Sequence, residues 1–239
     1  MIKKITAAVL AALLLCALAA CGIQYTHSSY VQVYETTGTK SALLTRRSDL
    51  EWQDSSLSGN ATVTVDTSEE GQAYGGFGAT MTHASAALLM QADETTRAAV
   101  LNDLFSDDGA NFNYVRIPIG ATDYIAEDAF FTCDDTEKNE EDLSFEHFNI
   151  SHDEDIIAVL KEALAVNPDI TFIAVPWSAP AWMKTNKSLI GGSLDEQYND
   201  AYAEYILRFV QAYAEEGIEI DLVCILNEPY IQGVAYPSM

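Results

Sequence analysis

The chain has 239 residues, with 12 basic and 36 acidic side chains that give a formal net charge of −24. This length is enough for one or two domains with a substantial core. The strong negative charge argues against nucleic acid or an anionic lipid surface as an electrostatic partner, because both need clustered lysine and arginine. Neutral and cationic ligands remain compatible with it.

Residues 1–21 have the pattern of a bacterial lipoprotein signal peptide. Two lysines precede an apolar run at residues 5–18, which is too short and wrongly flanked for a good membrane span. The tetrapeptide Leu-Ala-Ala-Cys at residues 18–21 resembles a lipobox, whose cysteine carries the lipid. The alternative is an ordinary secretory leader that is cleaved elsewhere. We expect an exported protein at the cell surface or in the periplasm, anchored to the membrane through Cys21.

Two cysteines remain beyond this leader. Cys133 falls in an acidic loop, and Cys224 falls in an apolar strand, where we expect a small buried thiol. A disulfide between them is possible in an exported protein, but two cysteines do not make a disulfide framework. Their spacing does not match a zinc site, so the sequence indicates neither a metal nor an organic cofactor.

Residues 22–29 have the composition of a tether, and residues 30–71 form a β-rich segment. Short alternating stretches occur at residues 30–34, 50–52 and 61–65, separated by polar turn residues. Alternation with a period of two predicts short strands.

Residues 72–239 alternate between strand-like and helix-like segments. The predicted strands comprise residues 76–81, 112–119, 169–175 and 219–226. The predicted helices comprise residues 93–105, 151–166 and 196–216. This order predicts a parallel α/β sheet. No G-x-G-x-x-G motif or P-loop follows a strand, which favours the N-terminal half of a (β/α)8 barrel over a nucleotide-binding sheet.

Local signals define the ends of the predicted helices. Asp93 is a good N-cap for the first, and Ser151 with Glu154 has the S-x-x-E pattern of a capping box for the second. Gly217 predicts the end of the third helix.

The last predicted strand ends in an abrupt change of polarity. An apolar run at residues 222–226 suits a strand buried on both faces, and Asn227, Glu228 and Pro229 follow it directly. In α/β barrels the carboxyl ends of the strands carry the active site. This position makes Glu228 a candidate catalytic acid, while a solvated glutamate at a strand end fits the same pattern.

The other strand ends carry side chains that suit a sugar ligand. Arg116 and Asp123 lie near the end of the second predicted strand, and Trp177 and Trp182 follow the third. Indole faces stack on the C–H faces of sugars, while carboxylates, amides and guanidinium groups pair with hydroxyls. Each residue also has a structural alternative: a buried ion pair for Arg116, a turn for Asp123 and core packing for one tryptophan.

Glycoside hydrolysis requires two carboxyl groups, one of which acts first as an acid and then as a base. In retaining enzymes the other group is a nucleophile about 5–5.5 Å away. Glu228 is a candidate for the first role, and the adjacent Asn227 can hold a sugar hydroxyl. No other acidic residue follows a strand in a similar context, so the sequence leaves the second carboxylate unidentified.

Four motifs resemble glycoside hydrolase family 30, and most closely its glucosylceramidase-like branch, which includes acid β-glucosidase and β-1,6-glucanase relatives. The motifs are Gly76-Phe-Gly-Ala-Thr-Met-Thr82, Arg116-Ile-Pro-Ile-Gly-Ala-Thr-Asp123, Pro176-Trp-Ser-Ala-Pro-Ala-Trp-Met-Lys-Thr-Asn186 and Asn227-Glu-Pro229. Gly191-Gly-Ser-Leu194 and Tyr236-Pro237 also fit that branch. The likeness is collinear from about residue 72 to residue 239.

The resemblance implies a (β/α)8 barrel, a β-sandwich side domain to which residues 30–71 contribute, and a retaining mechanism. In this likeness Glu228 is the acid/base and Asn227 contacts the sugar 2-hydroxyl. Asp123 and Trp177 bind hydroxyls of the glucosyl unit, and Arg116 lies under the site and orients the carboxylates. The family's nucleophile is a glutamate at the end of the seventh strand, beyond the four strands predicted here.

We therefore expect the N-terminal part of a β-glucoside hydrolase whose substrate is a carbohydrate or glycolipid, inactive without the part that carries the nucleophile. The alternative is a surface lipoprotein that binds glycans without cleaving them. His83 departs from the family pattern, since many relatives have an acid there, and we expect a buried, hydrogen-bonded histidine over a sugar contact.

Overall fold

The computed structural model describes residues 30–52, 63–64, 66 and 68–239. The predicted signal peptide, the tether and Cys21 lie outside these residues, as does most of the strand predicted at 61–65. The chain divides into two compact units, with the boundary between Glu70 and Gly71. Within the described part of the chain, no helix has the length and apolar character needed to cross a membrane.

In the described residues of the first unit there are four two-residue strands. They are β1 (Tyr30–Val31), β2 (Tyr34–Glu35), β3 (Thr45–Arg46) and β4 (Leu50–Glu51). β1 pairs antiparallel with β4, and β2 pairs antiparallel with β3. The alternating stretch predicted at 30–34 is therefore divided between β1 and the start of β2, and the stretch at 50–52 contains β4, so the strand prediction is confirmed only in part.

The second unit contains a four-stranded parallel sheet whose strands follow chain order. The strands are β5 (Gly78–Thr80), β6 (Tyr114–Ile119), β7 (Thr171–Pro176) and β8 (Leu222–Val223). The helices are α1 (His83–Gln91), α2 (Glu94–Phe105), α3 (Glu154–Val166) and α4 (Asn199–Glu215). Sequential parallel strands joined by helices form one side of a β/α barrel, which confirms the predicted fold class.

β6 and β7 form the central pair of this sheet. Six residues of each strand pair in register, from Tyr114 opposite Thr171 to Ile119 opposite Pro176. Alternate residues of a strand point to opposite faces. Val115 and Ile117 are fully buried in the core, so Arg116 between them lies on the other face.

The helix signals were largely correct. Asp93 caps α2, since its carboxylate accepts a hydrogen bond from the N–H of Thr96. Gly217 follows α4 with a φ of +82°, a conformation that glycine adopts readily. Ser151 does not form a capping box: it begins a short 3₁₀ turn, and its hydroxyl donates to Asn149 instead.

Two elements differ from the sequence prediction. α1 was not predicted, because the segment has no clear apolar face; the Thr82 side chain caps it. β8 was predicted at 219–226 and buried on both faces, but only Leu222 and Val223 pair with β7, and their exposed fractions are 51% and 41%. Among the described strands β8 is the last in the sheet, so only one of its edges is paired.

The two cysteines beyond the leader are both free. Cys133 is buried, and burial raises the pKa of its thiol well above the usual value. Cys224 is exposed, contrary to the buried thiol expected from its apolar strand, because it follows the half-covered strand β8. The possible disulfide does not form.

Candidate active site

Arg116 connects the ends of three neighbouring strands. The sequence prediction put it near the end of its strand, but it lies in the middle of β6 and reaches along the sheet face. Its guanidinium donates a hydrogen bond of 2.6 Å from Nη2 to Asn227 Oδ1. Its Cζ lies 4.5 Å from the ring centroid of Trp177, which directly follows β7. The contact with the ring is a cation–π interaction.

The charge of Arg116 acts on two carboxylates. Burial lowers the pKa of its guanidinium, and the nearby Cys224, Glu228 and Asp123 oppose that shift. A guanidinium stays protonated in proteins despite such a decrease. Arg116 therefore supplies a fixed positive charge beside both acidic side chains, which fits the expected position beneath the site.

Glu228 lies in a tight turn after β8. The N–H of Asn227 donates to the carbonyl of Pro176 at 2.8 Å, which extends the β7–β8 pairing to the start of the turn. Glu228 then has a φ of +42°, a left-handed conformation that is uncommon for a side chain of this size. Such outliers concentrate at functional sites, where the surrounding structure holds them in place.

Two side chains contact the carboxylate of Glu228. The phenol of Tyr236 donates to Glu228 Oε2 at 3.1 Å, and Asn227 Nδ2 lies 3.4 Å from the same oxygen. Burial raises the pKa of Tyr236, and the hydrogen bond to Glu228 and the charges of Glu228 and Asp123 raise it further. The hydroxyl of Tyr236 therefore remains protonated and available as a donor at neutral pH.

Asp123 is exposed and lies in the loop after β6. The neighbouring Thr122 hydroxyl accepts a hydrogen bond from the N–H of Tyr124, so the segment is a turn, as one interpretation of the sequence proposed. The carboxylate is nevertheless close enough to act on the pKa values of Arg116 and Tyr236. Asp123 is therefore both a turn residue and a member of the candidate site.

The structure brings together five of the residues selected from the sequence and adds one. The five are Arg116, Asp123, Trp177, Asn227 and Glu228. The addition is Tyr236, which the sequence analysis used only as part of a motif. No local pattern marks its role, because Tyr236 lies eight residues after Glu228 along an irregular loop.

Trp182 does not join this group. Its side chain is 1% exposed, and its Nε1 donates to the Asp134 carboxylate at 3.0 Å. The rings of Tyr198 and Phe145 pack edge-on against it. A ring so enclosed has no surface for a ligand in this structure, so the expected sugar contact is replaced by the packing role that was allowed for one of the two tryptophans.

His83 is buried and hydrogen-bonded, as expected. Its Nε2 lies 2.7 Å from Asp153 Oδ1, and the phenol of Tyr213 donates to the other oxygen of that carboxylate at 2.8 Å. The edge of Phe131 packs against the imidazole. These contacts join the start of α1 to α3 and α4, which gives His83 a structural role.

The chemistry available at the strand ends is that of one carboxyl group with oriented neighbours. Glu228 can donate or accept a proton, Tyr236 donates to it, and Arg116 holds positive charge nearby. Among the residues that the structure describes, no group of three or more His, Cys, Asp or Glu side chains is arranged to hold a metal ion. The side chains present thus suit acid–base chemistry on a hydroxyl-rich ligand.

Comparison with known proteins identifies relatives of this chain. The endo-1,6-beta-D-glucanase of Neurospora crassa is 33% identical over 184 residues, which cover 74% of this chain and 38% of that protein. The putative glucosylceramidase 1 of Caenorhabditis elegans is 31% identical over 205 residues, covering 82% of this chain and 38% of that protein. The chain thus spans well under half the length of these relatives.

A solved structure of an endo-β-1,6-glucanase has the same fold over most of the chain. It aligns with a TM-score of 0.69 and 32% identity, covering 88% of this chain and 45% of that structure. The model of the glycosyl hydrolase family 30 TIM-barrel domain matches residues 74–235, which include all four parallel strands and every residue of the group around Glu228 except Tyr236. The chain therefore belongs to glycosyl hydrolase family 30.

Proposed function

We propose that this chain is the acid/base-bearing part of a longer retaining hydrolase that acts on β-linked glucosides. The observation that carries the proposal is the arrangement of Glu228, whose carboxylate accepts from Tyr236 at the end of β8 while Arg116 contacts Asn227 and Trp177. The longer protein is proposed because the chain covers only 38% of the length of each of the two relatives described above. The second carboxyl group of the reaction would belong to the remaining part.

In this proposal Glu228 transfers the proton of both steps. It donates a proton to the glycosidic oxygen as the bond from that oxygen to the sugar breaks and the nucleophile bonds to the sugar carbon. Its carboxylate then removes a proton from water, which attacks that carbon and releases the nucleophile. Tyr236 orients the carboxyl group through its hydrogen bond to Oε2.

Asn227 has a defined orientation that supports a sugar contact. Arg116 can only donate hydrogen bonds, so the atom that faces it at 2.6 Å must be the amide oxygen of Asn227. The amide nitrogen then points toward Glu228, where it lies 3.4 Å from Oε2. We infer that this nitrogen donates to a sugar hydroxyl beside the acid/base, while Asp123 accepts from other hydroxyls of the same glucosyl unit.

The names of the relatives suggest the substrate class. They are an endo-1,6-beta-D-glucanase and a putative glucosylceramidase. Both names refer to substrates in which glucose is β-linked. We propose β-1,6-glucan or a β-glucosyl lipid as the substrate of this protein. The strong negative charge fits a neutral sugar better than an anionic polymer.

Hydrolysis by the full-length protein tests the proposal. We expect turnover of a β-1,6-glucan oligosaccharide or of glucosylceramide, and Glu228→Gln should lower kcat on it by about 100-fold or more, because the amide cannot transfer the proton. Glu219→Gln is the matched control, since this exposed glutamate precedes β8 at the opposite end of the strand. Sugar binding without turnover would favour the alternative of a non-catalytic glycan-binding lipoprotein.

The location is proposed from the leader sequence alone. Lipidation at Cys21 would hold the enzyme at a membrane surface, where a glycolipid or a cell-wall glucan is within reach. Cys21→Ser should move the protein from the detergent phase to the aqueous phase in a phase-partition experiment. Equal partition of the two forms would instead support an ordinary secretory leader.

A further inference from the structure

Lys184 is buried at a point where two strand-end loops meet. It lies in the loop that follows β7, its exposed fraction is 0%, and its ammonium donates to three neutral oxygens. These are Ser178 Oγ at 2.9 Å, the carbonyl of Leu189 at 3.1 Å and the carbonyl of Ser238 at 2.6 Å. Burial lowers its pKa to about 8, which reflects the cost of removing an ammonium group from water.

The acceptors of Lys184 belong to two different loops. Ser178 and Leu189 lie in the loop after β7, and Ser238 lies in the segment after β8. Further hydrogen bonds join the same loops: the N–H of Ser238 donates to the Leu189 carbonyl at 2.9 Å, and the N–H of Gly191 donates to Ser238 Oγ at 3.0 Å. Lys184 is thus the central donor of a clamp that fixes the β8 loop on the β7 loop.

The clamp continues to the candidate acid/base. Ser238 Oγ donates to the carbonyl of Tyr236 at 3.2 Å, and the phenol of Tyr236 donates to Glu228 Oε2. The β8 loop is anchored by the clamp at one end and by β8 at the other. A shift of Ser238 therefore moves Tyr236 relative to the carboxylate that it orients.

We propose that Lys184 is a positioning residue of the reaction, which acts through Ser238 and Tyr236 to hold Glu228 in the geometry for proton transfer. The inference rests on the proposed function, because it assigns a step of that reaction to the clamp. A lysine used only to fill space would be a costly choice, since an apolar side chain of similar volume avoids the desolvation of the ammonium. Its three donors instead match three oxygens on two loops.

Lys184→Met tests the proposal because it keeps the length of the side chain and removes every donor. Leu189 keeps the N–H of Ser238 as a donor to its carbonyl, so the carbonyl of Ser238 is the main group left unpaired. Lys184→Gln keeps an amide donor without charge and should give an intermediate effect. Lys161→Met is the matched control, since Lys161 lies on the exposed face of α3 with its side chain 48% exposed.

Two aryl β-glucosides separate acid catalysis from general loss of activity. A phenyl glucoside needs protonation of its leaving oxygen, whereas a 2,4-dinitrophenyl glucoside leaves without it. In the full-length protein, Lys184→Met should lower kcat/KM about fivefold on the phenyl glucoside, as expected when the contact from Tyr236 to Glu228 is lost, and less than about twofold on the dinitrophenyl one. Glu228→Gln should show the same dependence on the leaving group with a larger amplitude.

Several outcomes would overturn the positioning role. Equal losses on both glucosides would make Lys184 a structural residue, and unchanged rates would show that Glu228 is held without it. If Glu228→Gln shows no dependence on the leaving group, the proposed function fails instead, and the positioning role fails with it. Amide hydrogen exchange tests the clamp independently of enzymatic activity. In Lys184→Met the amides of Gly191 and Ser238 should exchange at least about tenfold faster than in wild type, while the amides of α4 keep their protection.

Discussion

Trp177 and Trp182 are five residues apart but belong to different regions, one at the strand ends and the other in the core. Trp177 lies under the guanidinium of Arg116 in the strand-end group, which we define as Arg116, Asp123, Trp177, Asn227, Glu228 and Tyr236. Trp182 lies in the core cluster, which we define as Trp182, Asp134, Phe145 and Tyr198, and its indole donates to a carboxylate that is 0% exposed.

The difference between the regions lies in what surrounds each carboxyl group. Burial raises the pKa of Asp134 to about 6, and the indole N–H of Trp182 opposes that increase. Glu228 instead has a positive charge, a phenol and an amide nearby and lies at the open edge of the sheet. Substitutions in the strand-end group should therefore change turnover, and substitutions in the core cluster should change the free energy of unfolding.

Arg116→Leu should produce the largest effect. It removes the donor to Asn227 Oδ1 and the positive charge beside Asp123 and Glu228, so the amide is free to rotate. We expect kcat/KM on a β-glucoside to fall about 100-fold in the full-length protein, in line with misplacement of catalytic groups. Arg116→Lys should recover part of the loss, because it keeps the charge without the planar fork.

The control for Arg116 is Arg46→Leu, which removes an exposed arginine paired with Asp49. We expect activity within about twofold of the wild type, because exposed ion pairs contribute little. Equal activity of Arg116→Leu and Arg46→Leu would show that the guanidinium does not organise the strand-end group.

Trp182→Phe should have the opposite profile, with a loss of stability and little loss of activity. It keeps an aromatic ring in the core cluster but leaves a carboxylate oxygen of the buried Asp134 without its donor. The expected loss is about 2 kcal/mol in the free energy of unfolding, measured with urea, with kcat/KM nearly unchanged. Trp177→Phe is the matched change in the strand-end group and should cost more in activity than in stability. Similar profiles for the two variants would remove the distinction between the regions.

The sequence predicted the elements that depend on local patterns. β6, β7, α2 and the end of α4 follow from apolar periodicity, an aspartate cap and a glycine, all of which act within a few residues. α1 was missed because its small side chains come first and its large apolar ones are consecutive near the end, which leaves no distinct apolar face. The strands near the edge were overestimated, since an apolar run does not report whether a partner covers it.

The members of the candidate site were predicted better than their contacts. The motifs identified Arg116, Asp123, Trp177, Asn227 and Glu228, but Trp182 had the same chemistry and a neighbouring position. The hydrogen bond to Asp134 and the packing of Phe145 and Tyr198 around its ring distinguish it from Trp177, and those partners are distant in sequence. The role of Tyr236 likewise depends on the path of an irregular loop, which side-chain patterns do not encode.

Asp134→Asn should stabilise the protein at high pH. The pKa of Asp134 is about 6 when folded and near 3.8 when unfolded, so the folded state binds the proton more tightly. Its contribution to stability is therefore greatest below pH 3.8 and is lost as the pH rises through 6. The variant lacks this loss, so relative to wild type it should be more stable at pH 8 than at pH 4.5 by about 1–2 kcal/mol.

The measurement for Asp134→Asn is the free energy of unfolding in urea at both pH values, compared with wild type. The amide oxygen still accepts from the Trp182 indole, so any change reflects the charge and the second oxygen, which has no partner among the described residues. Asp169→Asn is the control, because Asp169 is exposed. A difference between the two proteins that does not depend on pH would contradict the proposed titration.

Tyr236→Phe should have the smallest effect and the most specific one. It removes a single hydroxyl that donates to Glu228 Oε2 and leaves the ring, the loop and the charge of Arg116 unchanged. We expect kcat/KM to fall about fivefold on a glucoside with a poor leaving group, which corresponds to one modest hydrogen bond. Tyr230→Phe is the matched control, because Tyr230 lies in the same loop with 91% of its surface exposed. If Tyr236→Phe loses more activity than Arg116→Leu, the phenol and not the guanidinium orients the carboxyl group of Glu228. The loop after β8 would then determine the geometry of the strand-end group.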